Sequence, residues 1–247
     1  MSAFRERVDA LVAAHPVVTD NPFTRDFARG DASREDVRTL AVQFSVFSHL
    51  FLEAQLRKAL NAPTIESYRA AKEILMNELG VVFGREGSVD GSRFRFDAAH
   101  FEWLTRFCAE LGLGFAEIGK RRLGTAATLG FCDALVEVYG SDDASTAAGA
   151  SYAIEHWAAA GFWKELIAGL RAFKNRACPT LPMSFWTFHD ALEEQHAAHT
   201  ADELAECMRE PGFDEERFLA GARAVLDATF GFWRGLAETT SVAKIAA

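Results

Sequence analysis

The chain has 247 residues, of which 49% are hydrophobic and 25% charged, which is the composition of an ordinary globular protein with room for a sizeable core. Its formal net charge is −9 and it contains no dense run of Lys or Arg, which argues against nucleic acid or an anionic membrane as a partner. No apolar run approaches the roughly 20 residues needed to span a bilayer, so we expect a soluble, cytoplasmic protein.

Helical periodicity dominates the sequence. Apolar residues recur at helical spacing, and runs of alternating β-branched residues are nearly absent, so an all-α fold is predicted. A first helix is predicted over residues 2–14 and ends before "HPVVTDNP", where two prolines stop it. Ser33 and Asp36 form a capping-box pattern that opens a long helix to about Leu60, which Pro63 closes.

A glycine-rich segment interrupts the helices after residue 79. Thr64 is a candidate N-cap for the helix before it, and residues 80–96, with four glycines, are predicted to form a long loop of the kind often used as a lid or binding loop. The remaining predicted helices cover about residues 97–111, 115–139, 144–173, 183–208 and 214–238. Because no repeat or low-complexity tail is present, we expect a single domain over residues 1–247.

The stretch "FHDALEEQHAAHT" concentrates histidines and carboxylates on one predicted helix. His189, Glu193 and His196 fall within an arc of about 60° on that helix and so point the same way. Imidazole nitrogen and carboxylate oxygen suit iron, manganese or zinc. The preceding "PMSFWTF" is strongly apolar, which predicts that this triad is buried and needs partners. The alternative is an amphipathic helix whose histidines lie on its polar side.

Other predicted helices carry further candidate ligands. Glu155, in "AIEHWAAAGFW", sits in a largely buried helix, where its carboxylate either has a cation, a metal or an arginine, or is protonated. His100 is flanked by aromatic residues in "AAHFEW", and Glu78 ends the helix before the glycine-rich loop, where a solvated glutamate is equally common. Asp97 is either a helix N-cap or a ligand.

The order Glu78, His100, Glu155, His189, Glu193, His196 resembles the haem-oxygenase-like di-iron oxidases, also called iron-containing redox enzymes. That family places a Glu and a His on one core helix, a Glu on a second, and HxxxDxxH or HxxxExxH on a third. The flanking segments "NPFTRDFARGDASREDVRTLAVQFSVFSHLF", "EILMNELG" and "FGFWRGL" are also similar to the family. The resemblance implies an all-α, haem-oxygenase-like bundle of about seven to eight helices.

The same resemblance implies an activity. All six residues would be catalytic metal ligands, holding two Fe(II) ions, with O2 as co-substrate. The expected function is a non-haem di-iron oxidase or oxygenase of specialised metabolism that acts on a small organic molecule, with an amino acid or amine favoured. Arg106, Lys164 and Arg171 are candidates for binding a substrate carboxylate. We expect no nucleic-acid or membrane partner, and a homodimer remains open.

Two departures from the family pattern concern the ligands. Family members usually place the first Glu and His within about ten residues, whereas 21 residues separate Glu78 from His100 here. Either the insertion bulges out and Glu78 still binds metal, or Asp97 replaces it; we expect Glu78 as the ligand and Asp97 as the helix cap. Glu193 also stands where the family more often has Asp.

Three alternatives stay open. A ferritin-like bundle would use Glu193-x-x-His196 and nearly fits "DAAH" at 97–100, but leaves His189 unexplained. A metal-free thiaminase-like hydrolase of the same fold would need a nucleophilic cysteine, and none of the four cysteines lies in a matching motif. A metal-storing or partner-binding helical protein is the third.

Overall fold

The computed structural model describes residues 3–82 and 93–242, except that side chains are not described for residues 192–203. These parts of the chain are mostly helical, which confirms the all-α prediction. The α-helices are α1 Ala3–Ala14, α2 Pro16–Thr19, α3 Thr24–Phe27, α4 Arg34–Leu60, α5 Ile65–Glu78, α6 His100–Glu110, α7 Ala126–Ala134, α8 Ala144–Trp157, α9 Trp163–Ala177, α10 Ser184–Cys207 and α11 Glu215–Thr239.

The predicted caps fix the starts of the two helices that lead to the site. At α4 the Ser33 hydroxyl accepts the Asp36 amide at 3.1 Å, and the Asp36 carboxylate accepts the Ser33 amide at 2.9 Å. At α5 the Thr64 and Ser67 side chains make the same reciprocal pair. Each pair satisfies two backbone donors that a helix start would otherwise leave without partners.

The core is a continuous aromatic and aliphatic cluster between the long helices. α11 packs along α8 and α7, α4 packs on α5 and α6, and α10 contacts α8 and α9. Phe44, on α4, lies at the centre of this core, with its ring within 6.4 Å of rings from α9, α10 and α11. In the described part of the chain no helix is long and apolar enough to cross a membrane.

Two glycine-containing segments break predicted helices. The helix predicted over 115–139 is wrong before residue 126: two 3₁₀ turns, Phe115–Glu117 and Arg121–Leu123, occupy that stretch. The helix predicted over 144–173 is interrupted at Gly161, whose φ of +105° is a left-handed conformation that favours glycine. A π-helical turn, Ala158–Phe162, joins α8 to α9 at this kink. The helix count therefore exceeds the expected seven to eight.

The glycine-rich segment contains a short hairpin that the sequence analysis did not predict. Strand β1, Val81–Val82, pairs antiparallel with β2, Arg93–Phe94, in the register Val81 to Phe94 and Val82 to Arg93. The 3₁₀ turn Phe96–Ala98 then leads into α6. The residues between the strands, 83–92, which we expected to form most of a functional loop, lie outside the described residues.

Asp36 also ties the C-terminal end of the described chain to α4. Its carboxylate accepts the Ser241 amide and hydroxyl, each at 2.7 Å, in addition to its bonds with Ser33. Burial alone would raise the pKa of Asp36, but the hydrogen bonds from Ser241 and Ser33 outweigh it and hold the pKa below its usual range. Asp36 is therefore a buried carboxylate that stabilises the fold in its ionised form.

We predict that Asp36→Ala lowers the free energy of unfolding at pH 7 by about 1–3 kcal/mol, because it leaves buried donors without an acceptor. A depressed pKa stabilises the fold above the usual Asp value of about 3.9, and this contribution is lost as the pH falls below it. The difference between wild type and variant should thus shrink in acid. Urea unfolding of wild type and variant, at pH 7 and in acid, measures this difference in the free energy of unfolding. Glu35→Ala, in the same helical turn but exposed, is the control and should change stability little.

Candidate metal centre

Three predicted ligands from three helices meet at one place. Glu78 is the last residue of α5, His100 the first of α6, and His189 lies in the second turn of α10. One ligand atom from each lies within 4.8 Å of the other two. With metal–ligand bonds of about 2.1 Å, ligands of one ion lie up to roughly 4 Å apart, so small side-chain rotations would bring all three onto one ion.

The hairpin explains how ligands separated by 21 intervening residues become neighbours. Beside the paired strands, the Arg95 amide donates to the Gly80 carbonyl at 2.9 Å, so the chain returns to the end of α5 before α6 begins. Gly80 has a φ of +97°, and a Cβ there would lie 2.4 Å from the Arg95 carbonyl oxygen. Only glycine permits this closure.

Glu78 and His100 approach each other closely without forming a hydrogen bond. The His100 Nδ1 lies 2.9 Å from a carboxylate oxygen of Glu78, yet the two groups are not aligned for a hydrogen bond, so Nδ1 is buried without one. The two side chains therefore converge on the same point without binding each other. His100 is only 3% exposed, and a buried polar atom of this kind needs a partner.

His189 has a defined tautomer. Its Nδ1 lies 2.6 Å from the Phe185 carbonyl oxygen, one turn earlier on α10. Because a carbonyl only accepts, Nδ1 must carry the proton, and the lone pair of the neutral ring is then on Nε2. A backbone carbonyl that orients a histidine in this way is typical of metal ligands.

Aromatic rings enclose the two imidazoles. The His189 ring stacks on Trp163 at 5.2 Å and meets His100 edge-on at 4.9 Å, while His100 stacks on Trp103 at 5.3 Å and meets Phe188 edge-on at 5.0 Å. Within these walls His100 is buried, whereas His189 is half-buried. Two imidazoles and one carboxylate, converging in an apolar wall with a buried nitrogen that makes no hydrogen bond, fit a divalent transition metal.

The other three predicted ligands are not part of this cluster of described atoms. Glu155 lies half-buried on α8, and no three-ligand group of described residues includes it. The side chains of Glu193 and His196, and that of His199, lie outside the described residues, although α10 continues through them as helix. Their roles stay predictions.

The expected role of Asp97 as the N-cap of α6 is wrong. α6 starts at His100 with Ala99 as its N-cap residue and no side-chain cap. Asp97 is exposed, and its carboxylate accepts two bonds from the Arg95 guanidinium, at 3.2 and 2.7 Å, which hold the pKa of Asp97 below its usual range. Because the Asp97 carboxylate is bound by Arg95, two residues earlier in the chain, it neither caps the helix nor joins the cluster.

The candidate substrate-binding cations lie on the surface, and the sequence analysis missed other residues. Arg106, Lys164 and Arg171 are all exposed, which places their charges away from the buried cluster. Trp163 and Phe188, which form walls around the imidazoles, were not singled out. The role of Phe188 could have been predicted, because it directly precedes His189 in the sequence. The position of Trp163 could not, because it depends on the kink at Gly161.

A cavity of about 350 Å³ lies elsewhere in the bundle. It is formed where the end of α4 and the start of α5 meet the start of α8 and the end of α10, and its lining includes Lys58, Arg209, Glu206 and Cys207. None of the three clustered ligands lines it. Its lining mixes both signs of charge, and we assign it no role in the metal centre.

Comparison with known proteins identifies the fold. No protein-family model and no curated protein matches the sequence. Among solved structures, a CADD-like protein of unknown function from Nostoc punctiforme is similar, with a TM-score of 0.66, 21% identity and coverage of 96% of both chains. A domain of unknown function with a haem-oxygenase-like fold from Shewanella denitrificans has a TM-score of 0.65 and 14% identity, over 94% of this chain and 89% of that one.

These similarities define the class of protein. The chain has a haem-oxygenase-like helical fold, as the sequence resemblance implied. At such low identity the comparisons establish the fold and no activity. The three-ligand cluster inside that fold is the feature that points to a function.

We predict that Glu78→Gln weakens Co(II) or Fe(II) binding at least about tenfold, because an amide oxygen is a poorer, uncharged ligand. Anaerobic titration followed by calorimetry measures it. Glu102→Gln, an exposed glutamate on α6, and Asp97→Asn are matched controls and should leave the affinity unchanged. A silent Glu78→Gln with a damaging Asp97→Asn would show that the ligand is on the α6 side of the hairpin.

Proposed function

We propose that this chain is a non-haem di-iron oxidase or oxygenase that uses O2 to oxidise a small organic substrate. The observation that supports it best is the convergence of Glu78, His100 and His189. A carboxylate with two imidazoles is a ligand set that suits iron, and the surrounding aromatic rings give the cluster an apolar wall.

The proposed site extends from this cluster along α10. Glu193 and His196 follow His189 by one and two helical turns, about 6 and 10 Å along the helix axis. With Glu155 from α8 they complete six ligands, three carboxylates and three imidazoles, with a combined charge of −3 against two Fe(II) ions. That balance leaves the centre slightly positive, which favours an anionic group on a bound substrate.

Iron, when bound, supplies the redox chemistry that allows O2 to react with a closed-shell organic molecule. The protein's own residues position and shield it. The Phe185 carbonyl fixes the His189 ring, and the stacked Trp163 and Trp103 rings limit rotation of the imidazoles. Glu78 is 20% exposed, whereas His100 is 3% exposed, so the carboxylate marks the more open edge of the cluster.

The substrate class follows from the family resemblance. We favour an amino acid or amine, in a biosynthetic setting in specialised metabolism. A cytoplasmic location and the absence of nucleic-acid and membrane partners remain expectations from composition and charge.

The alternatives differ in what they require of the described residues. A ferritin-like site would pair Asp97 with His100 and leave out His189, whereas Asp97 is paired with Arg95 and His189 contacts His100. A thiaminase-like hydrolase would need a reactive thiol, but burial raises the pKa of Cys108 and of Cys132 to about 12. A metal-storing protein shares the ligand cluster, and only turnover separates it from an oxidase.

We predict that anaerobically prepared protein binds close to two Fe(II) per chain and consumes O2 faster when a suitable amino acid or amine is present. Anaerobic titration gives the stoichiometry. An oxygen electrode, with untargeted comparison of metabolites before and after reaction, gives the activity. Absence of iron binding would rule out the oxidase. Two bound ions with no substrate-stimulated O2 uptake would favour a metal store.

We predict that His189→Ala loses one iron and most O2 uptake, because it removes a ligand that the Phe185 carbonyl holds in place. His49→Ala is the control: His49 is also half-buried, but it bonds the Gly119 carbonyl at 2.9 Å, stacks on Phe101 and is not one of the clustered ligands. It should keep both irons. Equal loss in the two variants would mean that the effect comes from destabilised folding, and equal tolerance would remove His189 from the site.

A further inference from the structure

Exposed apolar residues are concentrated in one segment of the described chain. Of the ten large hydrophobic side chains that are exposed in the described part of the chain, nine lie between Leu56 and Phe96. This segment comprises the end of α4, the whole of α5 and the hairpin strands. Scattered exposed hydrophobics are ordinary, but a concentration in one segment marks an interaction surface.

The exposed side of α5 has the spacing of a helix-pairing surface. Ile65, Tyr68, Lys72, Met76 and Leu79 recur at intervals of three and four residues and are all exposed, which places them in one stripe along the helix. Ala71 is buried on the inward side, where α5 packs on α4. The stripe is therefore on the side of α5 that faces away from α4, and it runs along the whole helix, which is about 21 Å long.

The charges beside the stripe have both signs and lack partners within the described chain. Glu66, Arg69 and Glu73 are exposed, and none of them makes an ion pair with a described residue. Lys72 turns along the stripe, with its ammonium 5.2 Å from the centre of the Tyr68 ring. A surface that binds a strongly acidic or basic partner would carry charges of one sign. Charges of both signs along one edge of a helix are instead complementary to the same edge of a second copy that runs in the opposite direction.

We propose that α5 is the interface of a homodimer in which two copies of the helix pair antiparallel about a two-fold axis. In an antiparallel pair the charged edge of one helix meets the same edge of the other, so Arg69 of one copy lies opposite Glu73 of its partner, and the reverse pair forms by symmetry. The two-fold axis then crosses the helix pair at the level of residue 71, midway between residues 69 and 73. The stripe residues fill the space between the helices, and Leu56 and Leu60 at the end of α4 extend the apolar contact.

The proposed dimer affects the candidate metal centre because α5 contributes to both. α5 packs mainly on α4 and β1, yet it ends in Glu78, one of the three clustered ligands. Pairing of two α5 helices adds support on the outer side and so restrains the position of that carboxylate. The dimer does not depend on iron, and its test needs no metal.

The test is the mass of the full-length protein in solution, measured by light scattering on a sizing column and by sedimentation equilibrium. Wild type should have the mass of two chains, and the double variant Tyr68→Glu, Met76→Glu that of one. Phe115→Glu is the matched control, since Phe115 is 62% exposed but lies outside the segment, and it should stay dimeric. Circular dichroism confirms that each variant remains helical.

Charge exchange tests the antiparallel arrangement with variants that should fold normally, since both residues are exposed. Arg69→Glu and Glu73→Arg should each raise the dimer dissociation constant about tenfold or more by placing like charges opposite each other. The double exchange should restore the wild-type value. A wild type that is monomeric at every concentration overturns the proposal. A dimer that survives the stripe variant, or a double exchange that fails to restore it, overturns the assignment to paired α5 helices.

Discussion

Packing around a single ring, that of Phe44, positions two helices of the candidate metal centre, α10, which carries His189, and α9, which supplies Trp163. Six aromatic rings surround it, and they come from α4, α9, α10 and α11. Two of them, Trp163 and Phe185, also contact the His189 ring. The core that stabilises the bundle is therefore continuous with the wall of the site. A change that lets α9 or α10 shift would alter the fold and the orientation of the imidazole together, because close-packed interiors transmit small displacements.

Much of the architecture was predictable because local signals were strong. The capping boxes at Ser33 and Thr64 and the long amphipathic runs gave α4, α5, α10 and α11 nearly at their observed limits. The errors in the predicted helix limits fall where the conformation of a glycine decides the course of the backbone. Apolar periodicity runs through Gly161 without a break, yet its positive φ ends one helix and starts another. The hairpin at 81–94 was also missed, because its two paired residues per strand give too short a pattern to recognise.

The candidate site was predictable in composition but less so in geometry. The spacing of histidines and carboxylates, with the family resemblance, singled out Glu78, His100 and His189, and the structure brings these three together. Asp97 shows the limit of local reasoning: its position before a helix suggested a cap, but Arg95 binds it instead. The tautomer of His189 and the misaligned contact between His100 and Glu78 depend on side-chain directions that no sequence pattern contains.

The closure at Gly80 separates two quantities that are usually linked, the length of chain between two ligands and the distance between them. The hydrogen bond from the Arg95 amide to the Gly80 carbonyl holds the end of α5 near the start of α6. Residues inserted between Gly80 and Arg95 therefore lengthen the chain without moving either helix end. The entropy of closing a flexible loop grows slowly, by about 0.6 kcal/mol for each doubling of its length. The hydrogen bond between Gly80 and Arg95 thus marks a position at which related chains can gain or lose whole segments while the candidate ligands keep their geometry. In this fold, the number of residues between a glutamate and its companion histidine is a poor criterion for deciding whether both bind the same ion.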